Sequence, residues 1–248
     1  MLTQLKEIVL GRWAKKTRIG LGNWPGTIKD DVFLVSYPRS GSTWLRYILS
    51  HILAPDEPID RQKTLYLVPD IYIPIEWSKI RRPRIIKSHE FYTKEYQKVI
   101  YLLRDGRDVA CSYYDYYCRN NRYNKSFSFF LNDFLKPSFD FGSWPLHVES
   151  WLDGQVNELL IIKYESMYSD IYDQVKRICD FVGLNYSENI LNYAVKQSTF
   201  YKISVDAGTE RAGLGSGPGV WREFFADKDI EVFNQKAGHA LEKADYAF

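Results

Sequence analysis

Apolar and polar positions along the chain predict a repeated strand–turn–helix unit. Val32–Ser36 is a short run of strand-forming residues, and after a Pro/Ser/Gly stretch the apolar positions of Trp44–Leu53 recur at helical spacing. The same order returns at Lys98–Leu103, a predicted buried strand, which is followed by the turn Arg104–Arg107 and a helix that starts near Asp108. Two such units in one chain indicate an α/β protein.

Further segments extend this pattern. Leu159–Lys163 is a third predicted strand with a helix around Asp170–Val182 after it, Arg84–Ser88 is a fourth strand candidate, and Asp227–Lys243 has one apolar helical face. Strands that alternate with helices predict a central parallel β-sheet flanked by helices on both faces. In such sheets ligands bind at the carboxyl ends of the strands.

Three segments lack a clear period. Pro55–Arg82 and Tyr113–Phe141 are rich in Tyr, Phe, Ile and Pro, and we expect them to be irregular segments that cover a site or fill the edge of the core. Gly208–Gly219 holds five glycines in twelve positions and is expected to be a loop that closes over a ligand. No stretch resembles a linker, so residues 1–248 are predicted to form one domain.

The composition and the charge exclude several classes. The chain has 248 residues, of which 45% are hydrophobic and 26% charged, as in globular proteins and unlike a disordered chain or a collagen. The 33 Lys and Arg against 31 Asp and Glu give a formal charge of +2, which is too small to favour a nucleic-acid partner. Any anion site must therefore be local.

The cysteine spacing and the length of the apolar runs indicate in which cellular compartment the protein works. Cys111, Cys118 and Cys179 make an odd count without Cys-x-x-Cys spacing, which argues against a disulfide framework and against zinc, so no metal is predicted. The start of the sequence does not resemble a signal peptide, and no apolar run is long enough to span a bilayer. These features predict a cytoplasmic protein with no membrane partner.

The segment Ser36-Tyr-Pro-Arg-Ser-Gly-Ser-Thr-Trp44 has the composition of a phosphate-binding loop. Gly41 permits a tight turn before a helix N-terminus, Arg39 adds a cation, and Ser42 and Thr43 add hydroxyl groups. The segment lacks the first glycine and the lysine of the Gly-x-x-x-x-Gly-Lys-Ser/Thr nucleotide loop. Taken alone, it fits a polar turn in front of a core helix at least as well.

Two further pairs of residues are candidates for chemistry. Lys87 and His89 lie two apart at the end of a predicted strand, so their side chains point to one face while Ser88 points away. A histidine there can act as a general base and a lysine can neutralise a leaving oxygen, although a lone histidine is more often only hydrogen-bonded. Arg104 and Ser112 could clamp a second phosphate or could simply belong to a salt-bridged helix start.

Six motifs follow one another along the chain from about residue 32 to about residue 235. They are Tyr37-Pro-Arg-Ser-Gly-Ser-Thr-Trp44, Arg84-Ile-Ile-Lys-Ser-His89, Val99-Ile-Tyr-Leu-Leu-Arg-Asp-Gly-Arg-Asp-Val-Ala-Cys-Ser-Tyr-Tyr114, Phe141-Gly-Ser-Trp-Pro-Leu-His-Val148, Lys163-Tyr-Glu165 and Arg211…Gly219-Val-Trp-Arg222. In these motifs and in their order the chain resembles the sulfotransferases that use 3′-phosphoadenosine 5′-phosphosulfate (PAPS), in particular the cytosolic type.

The resemblance implies a P-loop nucleotide-kinase-like fold, PAPS as co-substrate and adenosine 3′,5′-bisphosphate (PAP) as product. The residues that it implies in nucleotide binding are, for the 5′-phosphosulfate, Arg39, Ser40, Gly41, Ser42 and Thr43; for the 3′-phosphate, Arg104, Ser112, Arg211, Ala212 and Gly213; and for the adenine, Trp44, Tyr164, Ser198 and Phe200. It also implies that His89 is the catalytic base and that Lys87 and Arg39 neutralise the leaving oxygen.

The acceptor and the assembly are less defined. An aromatic fraction of 16% suits an apolar pocket for a small hydroxyl acceptor such as a phenol, an alcohol or a natural-product intermediate, but aromatic residues also fill cores. Arg39 stands where the cytosolic members more often have lysine. The Thr-Val pair of the family's dimer motif is missing after Trp221, so both a monomer and a homodimer stay open.

Two other functions compete with sulfuryl transfer. A kinase of similar architecture would need the loop lysine and an acidic magnesium ligand, which the sequence does not offer convincingly. A nucleotide-binding protein without catalysis would keep the loop but would have no need of both Lys87 and His89. The sequence therefore favours a sulfotransferase.

Overall fold

A parallel sheet lies at the centre of the computed structural model, which describes residues 30–72, 76–80, 82–199 and 217–247. The strands in these residues are β1 (Val32–Ser36), β2 (Ile85–Ser88), β3 (Lys98–Leu103) and β4 (Glu158–Lys163). Their order in the sheet is β2-β1-β3-β4, and every neighbouring pair is parallel. All four predicted strands are confirmed, as is the parallel arrangement.

Helices follow or connect these strands. They are α1 (Ser42–Leu53), α2 (Arg61–Leu67), α3 (Gly106–Arg119), α4 (Phe127–Phe134), α5 (Trp144–Leu152), α6 (Tyr164–Ser169), α7 (Ile171–Val182), α8 (Glu188–Gln197), α9 (Trp221–Phe224) and α10 (Asp227–Lys243), with a 3₁₀ turn at Trp77–Lys79. The helices expected after β1, β3 and β4 and near the end of the chain are confirmed.

The two segments expected to be irregular contain helices, so that prediction is wrong in part. Helix α2 forms because Asp60 caps it, accepting a hydrogen bond from the backbone N–H of Lys63 at 2.7 Å. Helix α3 extends through Arg119, and α4 follows it. Phe130 in α4 is buried among other aromatic rings, so packing overrides the modest helix propensity of a Phe-rich run.

The sheet buries both of its faces. In β1, Phe33 and Val35 pack with residues of α3, α4, α5 and α10 on one face, whereas Val32 and Leu34 pack with α1, α7 and α8 on the other. This alternation follows from the period of two along a strand, which sends successive side chains to opposite faces. The expected helical cover on both faces is thus confirmed, while the extent of a single domain over residues 1–248 stays a prediction.

The carboxyl ends of the four strands meet at one edge of the sheet. The residues that directly follow β1, β2, β3 and β4 are Tyr37, His89, Arg104 and Tyr164. Each of them is at least nine-tenths buried, and three of them belong to the predicted site. The fold therefore gathers the candidate residues where ligands bind in parallel sheets.

Candidate active site

The loop between β1 and α1 has two residues in the left-handed backbone region. Arg39 has a φ of 72° and Gly41 a φ of 99°. At Gly41 a side chain would also collide with Tyr164, because a Cβ atom there would lie 2.7 Å from the ring. Gly41 is the N-cap of α1, and no side chain of the described residues caps this end. The helix therefore presents its N-terminus to the loop without a local acceptor.

The loop also supplies polar side chains. The hydroxyl of Ser40 is buried and has no hydrogen-bond partner among the described residues. Arg39 reaches from the loop to α3, where its Nε donates to Oγ of Ser112 at 3.2 Å and its guanidinium lies 5.0 Å from the centre of the Tyr116 ring. A helix N-terminus, an unpartnered buried hydroxyl and a cation together fit a phosphate or sulfate group.

Arg104 connects the predicted nucleotide residues. One of its terminal nitrogens donates to the carbonyl of Arg39 at 3.1 Å, and the other donates to the carbonyl of Gly217 at 3.3 Å. The guanidinium lies 4.3 Å from the centre of the Tyr164 ring, and Trp44 meets the same ring at 6.0 Å between centroids. The structure thus brings Arg104, Arg39, Trp44 and Tyr164 together, and their roles in nucleotide binding stay predictions.

Two acidic residues occupy the N-terminus of α3. The carboxylate of Asp105 caps the helix by accepting from the backbone N–H of Arg107 at 2.9 Å, and it also pairs with the Arg107 guanidinium at 2.7 Å. Asp108 accepts from the backbone N–H groups of Gly219 at 2.7 Å and Trp221 at 2.9 Å. Burial raises the pKa of Asp108, and these two amides oppose that rise. Asp108 therefore ties the end of the glycine-rich segment and the start of α9 to α3.

His89 is oriented by the end of β1. Its Nδ1 lies 2.6 Å from the carbonyl oxygen of Ser36, so Nδ1 carries the proton and donates while Nε2 keeps its lone pair. The Phe141 ring lies 5.3 Å from the imidazole, edge to face. Burial lowers the pKa of His89 well below its usual value, and the charge of Lys87 lowers it further. The imidazole is thus held neutral, in the form a general base requires.

Lys87 is paired with a residue that sequence reasoning missed. Its Nζ lies 2.6 Å from Oδ2 of Asp70, and both side chains are largely buried. Burial lowers the pKa of Lys87, and Asp70 opposes this change. Tyr72 accepts a hydrogen bond from the backbone N–H of His89 at 3.1 Å through its hydroxyl. No local pattern marks Asp70 or Tyr72, because both contacts depend on pairing with β2, distant in sequence.

The remaining candidates are only partly described. Ser198 is buried at the C-cap of α8, and its hydroxyl has no partner among the described residues, so its role in adenine binding stays a prediction. The predictions for Phe200, Arg211, Ala212 and Gly213 concern residues outside those that the structure describes. Within the described part of the chain, no three His, Cys, Asp or Glu side chains form a group that could hold a metal ion. In the same residues, no helix is long and apolar enough to cross a membrane.

Comparison with known proteins identifies relatives across most of the chain. The sulfotransferase domain family matches residues 29–241. The chain is 34% identical to human sulfotransferase 2B1 over 83% of this chain and 64% of that protein, and 32% identical to mouse sulfotransferase 2A2 over 84% and 82%. The chain therefore spans just under two thirds of the length of the former relative.

Solved structures show the same architecture. Mouse sulfotransferase SULT7A1 complexed with PAP has a TM-score of 0.73 and 25% identity, covering 94% of this chain and 91% of that one. Retinol dehydratase in complex with retinol and PAP has a TM-score of 0.69 at 18% identity, covering 92% and 86%, and shows the shared fold.

Proposed function

Because the chain belongs to the sulfotransferase family, we propose that it transfers the sulfuryl group of PAPS to a hydroxyl of a small acceptor, with His89 as the general base. The family match confirms the resemblance stated from the motifs. Family membership and the PAP complex of the similar mouse sulfotransferase support PAPS as co-substrate and PAP as product. The observation that carries the base assignment is the 2.6 Å contact between His89 Nδ1 and the Ser36 carbonyl, which leaves Nε2 as the acceptor of a proton.

We assign PAPS binding to residues at the N-termini of α1 and α3 and to the aromatic rings near them. The loop residues Arg39 to Thr43 and the N-terminus of α1 would hold the 5′-phosphosulfate, and Ser40 offers a buried hydroxyl for it. Arg104 and Ser112 would hold the 3′-phosphate, with Arg211 and the amides of 212 and 213 completing the clamp. Trp44 and Tyr164 offer aromatic surfaces to the adenine.

The transfer step follows from these positions. Nε2 of His89 accepts the hydroxyl proton while the acceptor oxygen bonds to sulfur and the bond from sulfur to the bridging oxygen breaks. Lys87 and Arg39 offset the negative charge that develops on that oxygen. His89 later releases the proton to solvent, so the products are the sulfated acceptor and PAP.

The surroundings of His89 favour an apolar acceptor. Phe141 lies 5.3 Å from the imidazole and 5.9 Å from the Tyr72 ring, so aromatic edges border the base. Such edges suit a phenol, a lipophilic alcohol or a natural-product intermediate better than a charged metabolite. We place this activity in a cytoplasmic, single-domain protein, in line with the cysteine pattern and the family type.

Kinetics of a His89→Ala variant test the base. General-base assistance is worth about 10²–10⁴ in rate, so kcat with PAPS and a phenol such as 2-naphthol should fall by about that factor. PAP should still raise the unfolding temperature, because His89 is not among the residues proposed to hold the nucleotide. His239→Ala, which removes an exposed histidine, is the matched control. Full turnover by a folded His89→Ala enzyme would remove His89 from the mechanism.

Ligand-dependent unfolding separates the sulfotransferase from its rivals. A ligand at about 100 times its dissociation constant stabilises a protein by about 2.7 kcal/mol. We expect stabilisation by PAP at concentrations at which AMP and ATP with magnesium have little effect. Preference for ATP with magnesium would favour the kinase, whereas PAP binding without turnover against a panel of phenols and alcohols would favour a non-catalytic protein.

A further inference from the structure

The segment Pro69–Tyr72 adds a short parallel rung to the edge of β2. The backbone N–H of Lys87 donates to the carbonyl of Pro69 at 2.8 Å, and the N–H of Ile71 donates to the carbonyl of Lys87 at 3.0 Å. Asp70 and Lys87 are therefore bridge partners, with side chains that can meet on one face of the sheet. This rung lies directly before the end of β2, where His89 follows.

The side chains of this rung contact both candidate catalytic residues. Asp70 binds the Lys87 ammonium through Oδ2 at 2.6 Å, while its Oδ1 accepts from the backbone N–H of Tyr72 at 3.2 Å. The turn therefore orients the carboxylate and leaves one oxygen for the lysine. Tyr72 accepts from the backbone N–H of His89 at 3.1 Å, and its ring lies 5.8 Å from Nζ of Lys87.

We propose that Asp70 is a positioning residue that holds the Lys87 ammonium in its charged form beside His89. This proposal rests on the proposed function, in which Lys87 must be a cation when the donor binds. The resemblance to the PAPS-dependent sulfotransferases implies a role for Lys87 in the site but gives no role to Asp70. An aspartate at this position gives the lysine a defined place before any phosphate is present.

The electrostatic surroundings show why a partner is needed. Lys87 is buried, which lowers its pKa, and the nearby Arg46 lowers it further. The other groups that face it are the neutral His89 and the Tyr72 hydroxyl, neither of which supplies a negative charge at neutral pH. Of these neighbouring groups, Asp70 is the one that raises the pKa of Lys87. Without it, burial and Arg46 act unopposed.

Asp70→Asn tests this role through the free enzyme. Neutralising Asp70 should lower the pKa of Lys87, so the basic limb of the kcat/KM profile for PAPS should move to lower pH. At pH 8 we expect a loss of roughly tenfold in kcat/KM. The loss in kcat at saturating PAPS should be smaller, because the bound anion then supplies negative charge in place of Asp70. A purely structural role would not produce this split.

Two variants serve as controls. Asp70→Glu keeps the charge and should restore most of the pH profile. Asp133→Asn removes the partner of Lys136, which lies at the same 2.6 Å separation but on the surface, and it should leave the profile unchanged. Both controls also show whether loss of stability alone alters the kinetics.

A measurement without turnover keeps this proposal separate from the proposed function. The NMR titration of ¹³Cε-labelled lysine, with the Lys87 signal assigned by Lys87→Arg, reports the lysine pKa in wild-type protein and in Asp70→Asn. A lower Lys87 pKa together with the shifted kcat/KM limb supports the role of Asp70. An unchanged Lys87 pKa or an unchanged limb overturns it. If the wild-type enzyme transferred no sulfuryl group, the proposed function would fail and the titration alone would decide the pairing.

Discussion

Helices α1 and α3 both follow central, neighbouring strands, yet their N-termini are built in opposite ways. Helix α1 begins after Gly41, with no acidic residue in its first turn and no side-chain cap among the described residues. Helix α3 begins after Asp105, which caps it, and carries Asp108 in its first turn. The N-terminal amides of α1 are therefore available to a ligand, whereas a side chain of the protein already bonds an N-terminal amide of α3.

Under the proposed function, this difference shows how one kind of strand–turn–helix unit can provide two different phosphate sites. At α1 the backbone amides and the helix dipole would attract the proposed anion directly. At α3 the carboxylate of Asp105 already accepts a hydrogen bond at the helix end, so a phosphate bound there would depend on a cation placed before the helix. Under the proposed function Arg104 is that cation, while Arg107 pairs with Asp105 at 2.7 Å.

Of the variants that test this comparison, Gly41→Ala should weaken PAP binding the most. The substitution places a side chain at a φ of 99° and 2.7 Å from the Tyr164 ring, so the loop must move away from the helix end. Losing two amide hydrogen bonds to a charged group, each worth about 1.5–3 kcal/mol, would weaken PAP binding at least about 100-fold by calorimetry.

A matched glycine separates strain from the loss of the site. Gly183 has a φ of 80° at the end of α7, and nothing lies within 4 Å of a Cβ atom there. Gly183→Ala should cost about 1–2 kcal/mol of unfolding free energy and leave PAP affinity unchanged. Equal PAP affinity in both variants would break the comparison, since α1 would then bind no phosphate through its amides.

Arg104→Ala should have the second largest effect, confined to ligands with a 3′-phosphate. Removing one charge-assisted contact, worth about 1.5–3 kcal/mol, should weaken PAP about 10–100-fold and hardly change the affinity for AMP. Titration calorimetry with both nucleotides measures the difference. Arg119→Ala, at the far end of α3, is the control. An equal loss for PAP and AMP would show that Arg104 does not read the 3′-phosphate.

Asp108→Asn should have the smallest effect on ligand binding. It weakens two hydrogen bonds to the backbone of Gly219 and Trp221, so about 1 kcal/mol of unfolding free energy should be lost, whereas PAP affinity should change by less than about threefold. Chemical denaturation with and without PAP separates the two quantities. Asp173→Asn alters a first-turn aspartate of α7 as a control. A tenfold gain in PAP affinity would show that Asp108 opposes the anion.

The sequence predicts the sheet well because its strands are short apolar runs followed by polar turns. The bounds of Val32–Ser36 and Lys98–Leu103 agree with the structure at both ends. The aromatic segment around Phe127–Phe134 was expected to be irregular, because its helix depends on packing that no local pattern records.

The candidate site likewise contains residues that local sequence locates and residues that only distant contacts bring into place. The location of Arg104 and His89 at the carboxyl end of the sheet could be predicted because each directly follows a strand. Asp70 could not, because its partner Lys87 lies 17 positions away and meets it only through a rung on the edge strand. The hydrogen bond between Arg39 and Ser112 likewise joins the ends of two separate units, 73 positions apart.

Tyr37 joins two segments that lie beside the proposed acceptor site. Its hydroxyl donates to the carbonyl of Gly142 at 2.8 Å, which joins the start of the phosphate loop to the segment that carries Phe141. Gly142 has a φ of 70°, and a Cβ atom there would lie 2.5 Å from the Phe91 ring. Under the proposed function, variants made to change acceptor choice should therefore retain Tyr37 and Gly142, because these two residues fix the backbone beside Phe141. Acceptor specificity can then be altered through side chains, while the backbone around Phe141 keeps its position.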